Sequence, residues 1–354
     1  MTSLIRSSLL VLAVATFTGC AGRGAVETVA PAPGPVRLDD SGVRAAAELL
    51  RMEDSRVLDT ALVARHLLNP VPAIRARAAL AAGRILDRTA TPLLLRALAD
   101  ADNEVRASAA FILGELADSS AHVTAALGRI ALHDNGRAAV EAAGALGRIG
   151  TEAARPFIDS LLTTRRPDPL RHEALIVAWR LPRAPSTLQH LAAATRDDDD
   201  AESRWRAAYS LARTAGPGAV QHLLPLLDDE DARVRAHAVR GLRAPLADSA
   251  NLRERALTAA LAATTDTDAH VRINAINLLA AYRENARAVP ALVARREDAD
   301  ANVAIAAAQA LAPSGDASAT GALYALTGNT TRPDGVRTAA LTSWMRIDAA
   351  TAAP

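Results

Sequence analysis

The sequence predicts an all-α protein, a right-handed α-solenoid of about nine stacked helix hairpins, and three observations predict it. The 354 residues are 50% hydrophobic but only 3% aromatic, and 85 of them are Ala. The apolar load therefore falls on small and aliphatic side chains, which favour closely packed helices. One motif recurs through most of the chain at a nearly constant step, and its apolar positions keep helical spacing.

At the N-terminus, Met1 to Gly19 carry one positive charge at Arg6 and an apolar stretch from Leu9 to Phe17, the pattern of a secretory signal. That stretch is shorter than the roughly 20 residues that span a bilayer. Phe17-Thr18-Gly19-Cys20 resembles the lipobox of bacterial lipoproteins. The resemblance implies cleavage before Cys20, the only cysteine, and acylation of its thiol, so residues 1–19 are expected to be a signal peptide. Ala21 follows the cysteine. By the same resemblance this implies a bacterial cell-envelope protein anchored by lipid, in the outer membrane and facing the periplasm. Residues 20–40 are rich in Pro, Gly and Ala, with Pro31, Pro33 and Pro35 alternating, and read as a semi-rigid tether.

The repeats follow over residues 41–348. Val-Arg-x-x-Ala-Ala-x-x-Leu-Gly appears as IRARAALAAG from Ile74, VRASAAFILG from Val105, VRAHAVRGLR from Val234, VRINAINLLA from Val271 and VRTAALTSWM from Val336. Weaker copies begin at Ala138, Leu170, Ser203 and Val303. Successive starts are 31, 33, 32, 33, 31, 37, 32 and 33 residues apart, so only the stretch around Pro245 to Asn251 carries an insertion. Within each copy the first, fifth and ninth residues mark a buried helical stripe. An apolar segment before each copy, such as Thr91 to Leu98, supplies the first helix of a hairpin, with Pro92 and Pro290 near helix starts where a missing amide proton costs least. Asp102, Asp200, Asp231, Asp268 and Asp300 stand three residues before the motif and are expected to cap the second helix. Stacked units place these Asp and the second-position Arg side chains in parallel rows. Residues 349–354 read as a flexible tail.

This Asp-x-x-Val-Arg turn between short helices resembles the HEAT repeat, and its short period resembles the HEAT-like repeats of bilin-lyase-type proteins. Ankyrin and tetratricopeptide repeats have similar periods, but their motifs are missing. The resemblance implies second helices lining a concave face that binds protein.

Chemistry has no visible carrier, so neither enzyme activity nor a cofactor is expected. All 40 basic residues are Arg, and 39 acidic residues nearly cancel them, leaving net +1. That is not the charge of a nucleic-acid binder, and no nucleic-acid partner is expected. The eight His are scattered without metal-ligand spacing. Asp197 to Asp200 with Glu202 lack the alternation and Gly of a calcium loop. Gly144-x-x-Gly147-x-x-Gly150 reads as helix packing and a C-terminal cap.

One feature stands above this background. The eleventh motif residue is Arg at Arg84, Arg148, Arg180, Arg213 and Arg346, and Arg77 and Arg206 lie seven residues before two of them on the same helix face. Arg77, Arg84, Arg148, Arg180, Arg206 and Arg213 are therefore candidate partner-binding residues, a basic strip for carboxylates or phosphates. Arg in a last helical turn also suits the helix dipole, which is the competing structural reading. Phe111, Ile176, Tyr209 and Leu278 stand at variable positions of the same helices and are candidates for apolar contact. The function expected is a non-catalytic scaffold for an envelope protein. The alternative is a recruiting arm for an envelope chaperone or peptidyl-prolyl isomerase system.

Overall fold

The computed structural model describes residues 38–164, 168–196, 200–214, 217–243, 250–282, 285–312 and 316–351. The signal segment, Cys20, the proline-rich tether up to residue 37, Asp197 to Asp199 and most of the insertion near Pro245 lie outside the described residues. Every regular element among the described residues is helical. The fold is an all-α solenoid of helix hairpins, and the chain divides into two units at Ile149 and Gly150.

The first unit holds α1 (Asp40–Ser55), α2 (Thr60–His66), α3 (Pro72–Arg84), α4 (Thr91–Ala97), α5 (Asn103–Glu115), α6 (Ala121–His133) and α7 (Gly136–Ile149). Helices α3, α5 and α7 carry motif copies and pack side by side, with α2, α4 and α6 behind them. Helix α1 stacks beside α3 as a further member of that row. Its sequence Asp39-Asp40-Ser41-Gly42-Val43-Arg44-Ala45-Ala46 is a weak copy of the motif, hidden from the spacing pattern because Gly42 stands where an aliphatic residue is usual. Ala45 and Ala46 of α1 close against Ile74 of α3.

Small residues let these helices approach. A Cβ on Gly83 falls 2.2 Å from Ile112, and one on Gly114 falls 2.8 Å from the Ala145 backbone. The row tolerates no side chain there. Gly150 ends α7 with φ of 65°, a left-handed turn that glycine adopts without strain.

The second unit holds α8 (Arg155–Leu162), α9 (Pro169–Val177), α10 (Pro185–Arg196), α11 (Ala201–Arg213), α12 (Pro217–Leu223), α13 (Ala232–Gly241), α14 (Ala250–Ala263), α15 (Ala269–Leu279), α16 (Ala288–Arg295), α17 (Ala301–Leu311), α18 (Ala317–Thr327) and α19 (Asp334–Thr351). The odd-numbered helices from α9 to α19 form the second-helix row, each packed on the next. Helix α19 continues to Thr351, past residue 348 where the repeats were expected to give way to a tail.

The sixth motif residue differs in burial between α19 and the other motif helices. Ala79, Ala110, Ala143, Leu175, Ala208, Val239, Ile276 and Ala308 are completely buried, whereas Leu341 on α19 is 44% exposed. Helix α19 thus leaves its outer flank to solvent.

Candidate functional site

Most second helices start at an acidic turn, and several of these turns carry two kinds of aspartate. The first caps the helix. The carboxylates of Asp102, Asp200, Asp268 and Asp300 accept from two backbone amides of the first turn, and that of Asp231 accepts from Arg233. The second lies two residues earlier, at Asp100, Asp229, Asp266 and Asp298. Each accepts from the amide of the capping residue beyond it.

The second kind receives the motif arginines. Arg75 donates Nε and Nη2 to the two carboxylate oxygens of Asp100 at 2.7 and 2.8 Å. Arg235 does so to Asp266 at 2.8 and 2.9 Å, and Arg272 to Asp298 at 3.1 and 2.9 Å. Arg204 reaches Asp229 at 3.0 and 3.2 Å, and Arg106 reaches Asp134 at 2.5 and 2.8 Å. Four of these arginines spend Nη1 on carbonyls of their own turn, as Arg235 does on Asp229 and Glu230. Each rung thus ties one hairpin to the next by a bidentate, charge-assisted pair. The Arg hydrogen bonds hold the carboxyls of Asp100, Asp134 and Asp266 below the usual carboxylate range, against the opposing effect of burial.

In four of these rungs the acceptor is not the capping Asp but its neighbour two residues back, and the repeated Asp-x-Asp at 100, 229, 266 and 298 is the signal for it; in the fifth it is Asp134 at the end of α6. Ala304 interrupts the rungs at α17, where Arg332 donates instead to the Asp298 carbonyl at 2.6 Å.

The candidate partner-binding arginines meet two fates. In the first unit Arg77 is 7% exposed and ion-paired with the buried Glu53, which leaves no surface for a partner. Arg84 joins the same carboxylate at 3.1 Å. Arg148 pairs with Glu115 at 3.2 Å and lies over the Phe111 ring. Leu278, a candidate for apolar contact, is completely buried and belongs to the packing between helices.

In the second unit the remaining arginines form one surface with aromatic rings. Arg213 stands 3.9 Å from the centre of the Trp179 ring and 5.3 Å from that of Tyr209, and Arg180 stands 5.1 Å from Trp179. Arg206 and Arg233 stand 4.4 and 5.6 Å from the centre of Trp205. His237 on α13 stacks on Trp205 at 5.9 Å and meets the Tyr209 edge at 5.4 Å. Five of the six cation–π pairs among the described residues fall in this one patch. Such pairs normally occur about once per 75 residues, so their concentration here marks the patch out.

Burial raises the Glu202 carboxyl, but hydrogen bonds from Arg233, Arg206 and Trp205 outweigh it and hold the group at about 2. Burial, helped by Arg240 and Arg233, pushes His237 down to about 4. The patch at neutral pH therefore carries ionised Glu202, neutral His237 and a surplus of guanidinium groups. On α11 it occupies positions 202, 205, 206, 209 and 213, because Ala207, Ala208 and Leu211 face the packing. Trp179, Trp205, Arg233 and His237 were not anticipated from sequence. They stand at different motif positions, so no repeat column reveals them.

No group of three or more acidic, His or Cys side chains suited to a metal ion occurs among the described residues. None of their helices is long and apolar enough to cross a membrane.

HEAT repeats match by sequence over residues 91–179, 162–243, 188–259, 220–298 and 254–345. No curated protein matches the chain. Among solved structures the chain is similar to the karyopherin Kap121p, at 17% identity and a TM-score of 0.51, over 85% of this chain and 37% of that one. It is similar to Kap121p bound to the extreme C-terminus of the protein phosphatase Cdc14p, at 17% identity and a TM-score of 0.50, over 81% and 37%. An engineered protein is similar at 20% identity and a TM-score of 0.49, over 87% and 93%. The matched repeats span most of the sequence, and the chain belongs to the HEAT-repeat family.

Proposed function

We propose that the chain is a lipid-anchored protein of the bacterial envelope, a non-catalytic scaffold that binds another protein through the second-helix face of its repeats. The observation that carries this reading is the patch formed by α11, α13 and the turn after α9, where Arg180, Arg206, Arg213 and Arg233 lie against Trp179, Trp205 and Tyr209. Aromatic and Arg side chains are the residues that most often dominate protein interfaces. Kap121p bound to the end of another protein is an array of the same fold engaged with a chain terminus, which supports the reading. The anchor rests on the lipobox-like Phe17-Thr18-Gly19-Cys20.

The scaffold is tested by crosslinking in bacterial cells followed by mass spectrometry, with wild type beside a variant carrying Arg148, Arg180 and Arg213 changed to Glu. One envelope protein captured by wild type and lost from the variant is expected. Capture of nothing specific contradicts the scaffold. Cys20→Ala is expected to release the chain from the membrane fraction, and its retention there contradicts the anchor.

A further inference from the structure

The second unit already holds one carboxylate in an arrangement of an indole and two guanidinium groups. Glu202 accepts from Trp205 Nε1 at 3.0 Å and is ion-paired with Arg206 and Arg233, both of which lie over the Trp205 ring. One repeat earlier the same parts recur. Trp179 carries Arg213 at 3.9 Å and Arg180 at 5.1 Å. Among the described residues no carboxylate pairs with either arginine, and no acceptor takes the Trp179 N–H.

We propose that Trp179, Arg180 and Arg213 receive a carboxylate from an extended acidic segment of a partner protein, as Trp205, Arg206 and Arg233 receive Glu202. This names the partner chemistry of the scaffold and rests on that reading. A guanidinium stacked on a ring is held in place, so it loses less freedom on binding than one in open solvent. Its N–H groups lie in its own plane and stay free for a carboxylate approaching along the edge.

The same geometry disfavours nucleic acid. Binding single strands relies on bases stacking on aromatic faces, and here guanidinium groups lie against those rings. Glu202, held ionised, adds a negative charge where a phosphate backbone would run. The chain's net charge of +1 supplies no long-range attraction for a polyanion.

Arg240 sets the segment's second contact. It is exposed on α13, two helices along the same face, and has no acidic partner among the described residues. Neighbouring helices pack about 9 Å apart and an extended chain advances about 3.3 Å per residue. Two carboxylates about six residues apart therefore reach both sites.

Fluorescence anisotropy tests this with the full-length chain in detergent. The probe is a labelled Gly-Ser peptide carrying two Glu about six residues apart. Saturable binding is expected, weakened about tenfold or more by Arg180→Gln with Arg213→Gln and by replacing the peptide's Glu with Gln. The double variant should keep the wild-type circular dichroism spectrum and unfolding midpoint, since both arginines are exposed. A single-stranded oligonucleotide of equal charge should bind more weakly. Absence of saturable binding, equal binding of the Gln peptide, unchanged binding by the double variant, or tighter binding of the oligonucleotide overturns the proposal. If the peptide fails while crosslinking in cells still captures one protein, the carboxylate receptor falls and the scaffold stands. If crosslinking fails too, both fall.

Discussion

Arg235 and Arg213 lie on adjacent helices of the same row, and their surroundings give them opposite work. Arg235 sits at the acidic turn, its side chain 14% exposed, with every guanidinium nitrogen donating to Asp266 or to carbonyls of its own turn. Arg213 lies on the open face of α11 with a ring beneath it and no carboxylate among its described neighbours. Residue type does not separate the two. What separates them is whether the next hairpin presents an aspartate within reach, and that decides whether an arginine holds repeats together or remains available to a partner.

The comparison breaks most visibly at a rung. Arg235→Ala leaves Asp266 half-buried and unpaired, and is expected to lower stability by about 3 kcal/mol, read by chemical denaturation of the full chain. A loss below about 1 kcal/mol would make the rungs incidental. Gly114→Ala tests the close approach of the row that the rungs hold in register. Alanine in place of an exposed helical glycine normally stabilises by up to about 1 kcal/mol. Here its Cβ meets the Ala145 backbone at 2.8 Å, so a loss of about 2 kcal/mol is expected, and a gain would contradict the packing.

Acid separates the face from the turns. His237 stays neutral in the folded chain down to about 4, while the unfolded chain takes up that proton near its ordinary 6.5. The contribution of His237 to stability should therefore fall as pH drops through 6.5 and be fully lost near 4, by about 2 kcal/mol after allowance for partial exposure. His237→Gln should flatten that window, and an unchanged profile would show that the ring is not held against Trp205 and Tyr209. The carboxyls of Asp100, Asp134 and Asp266 act lower. Their rungs add stability above the ordinary carboxylate range and lose it as pH falls through their depressed values. The smallest effect belongs to the open face: Arg213→Gln should change stability by no more than about 0.5 kcal/mol.

The sequence announced the repeats because a buried stripe must recur wherever a hairpin packs on its neighbour, so Ile74, Val105, Val234 and Val271 recur with it. It left the copy on α1 unassigned, although residues 41–348 were expected to hold the array, because Gly42 replaces the aliphatic residue that begins the stripe, while packing there is done by Ala45, Ala46 and Leu49. The Asp-x-Asp turns were legible but their division of labour was not, since capping and inter-hairpin pairing both ask for a carboxylate. The aromatic patch was least legible. Trp179 is the tenth residue of its copy and Trp205 the third of the next, and only the stacking of helices brings each under arginines from a neighbouring element. The strip drawn from the eleventh position was extended to Arg77, which spacing alone could not distinguish from Arg206, because Glu53 lies on a helix to which the motif assigned no copy.

The most direct test of this division places Arg235→Gln and the Arg180→Gln, Arg213→Gln pair side by side, measuring for each both the unfolding midpoint and binding of the two-Glu peptide. The rung variant should lose stability and, below its midpoint, bind as wild type does. The face variant should keep its stability and lose binding. Equal losses of stability in both, or binding retained by the face variant, would contradict the account.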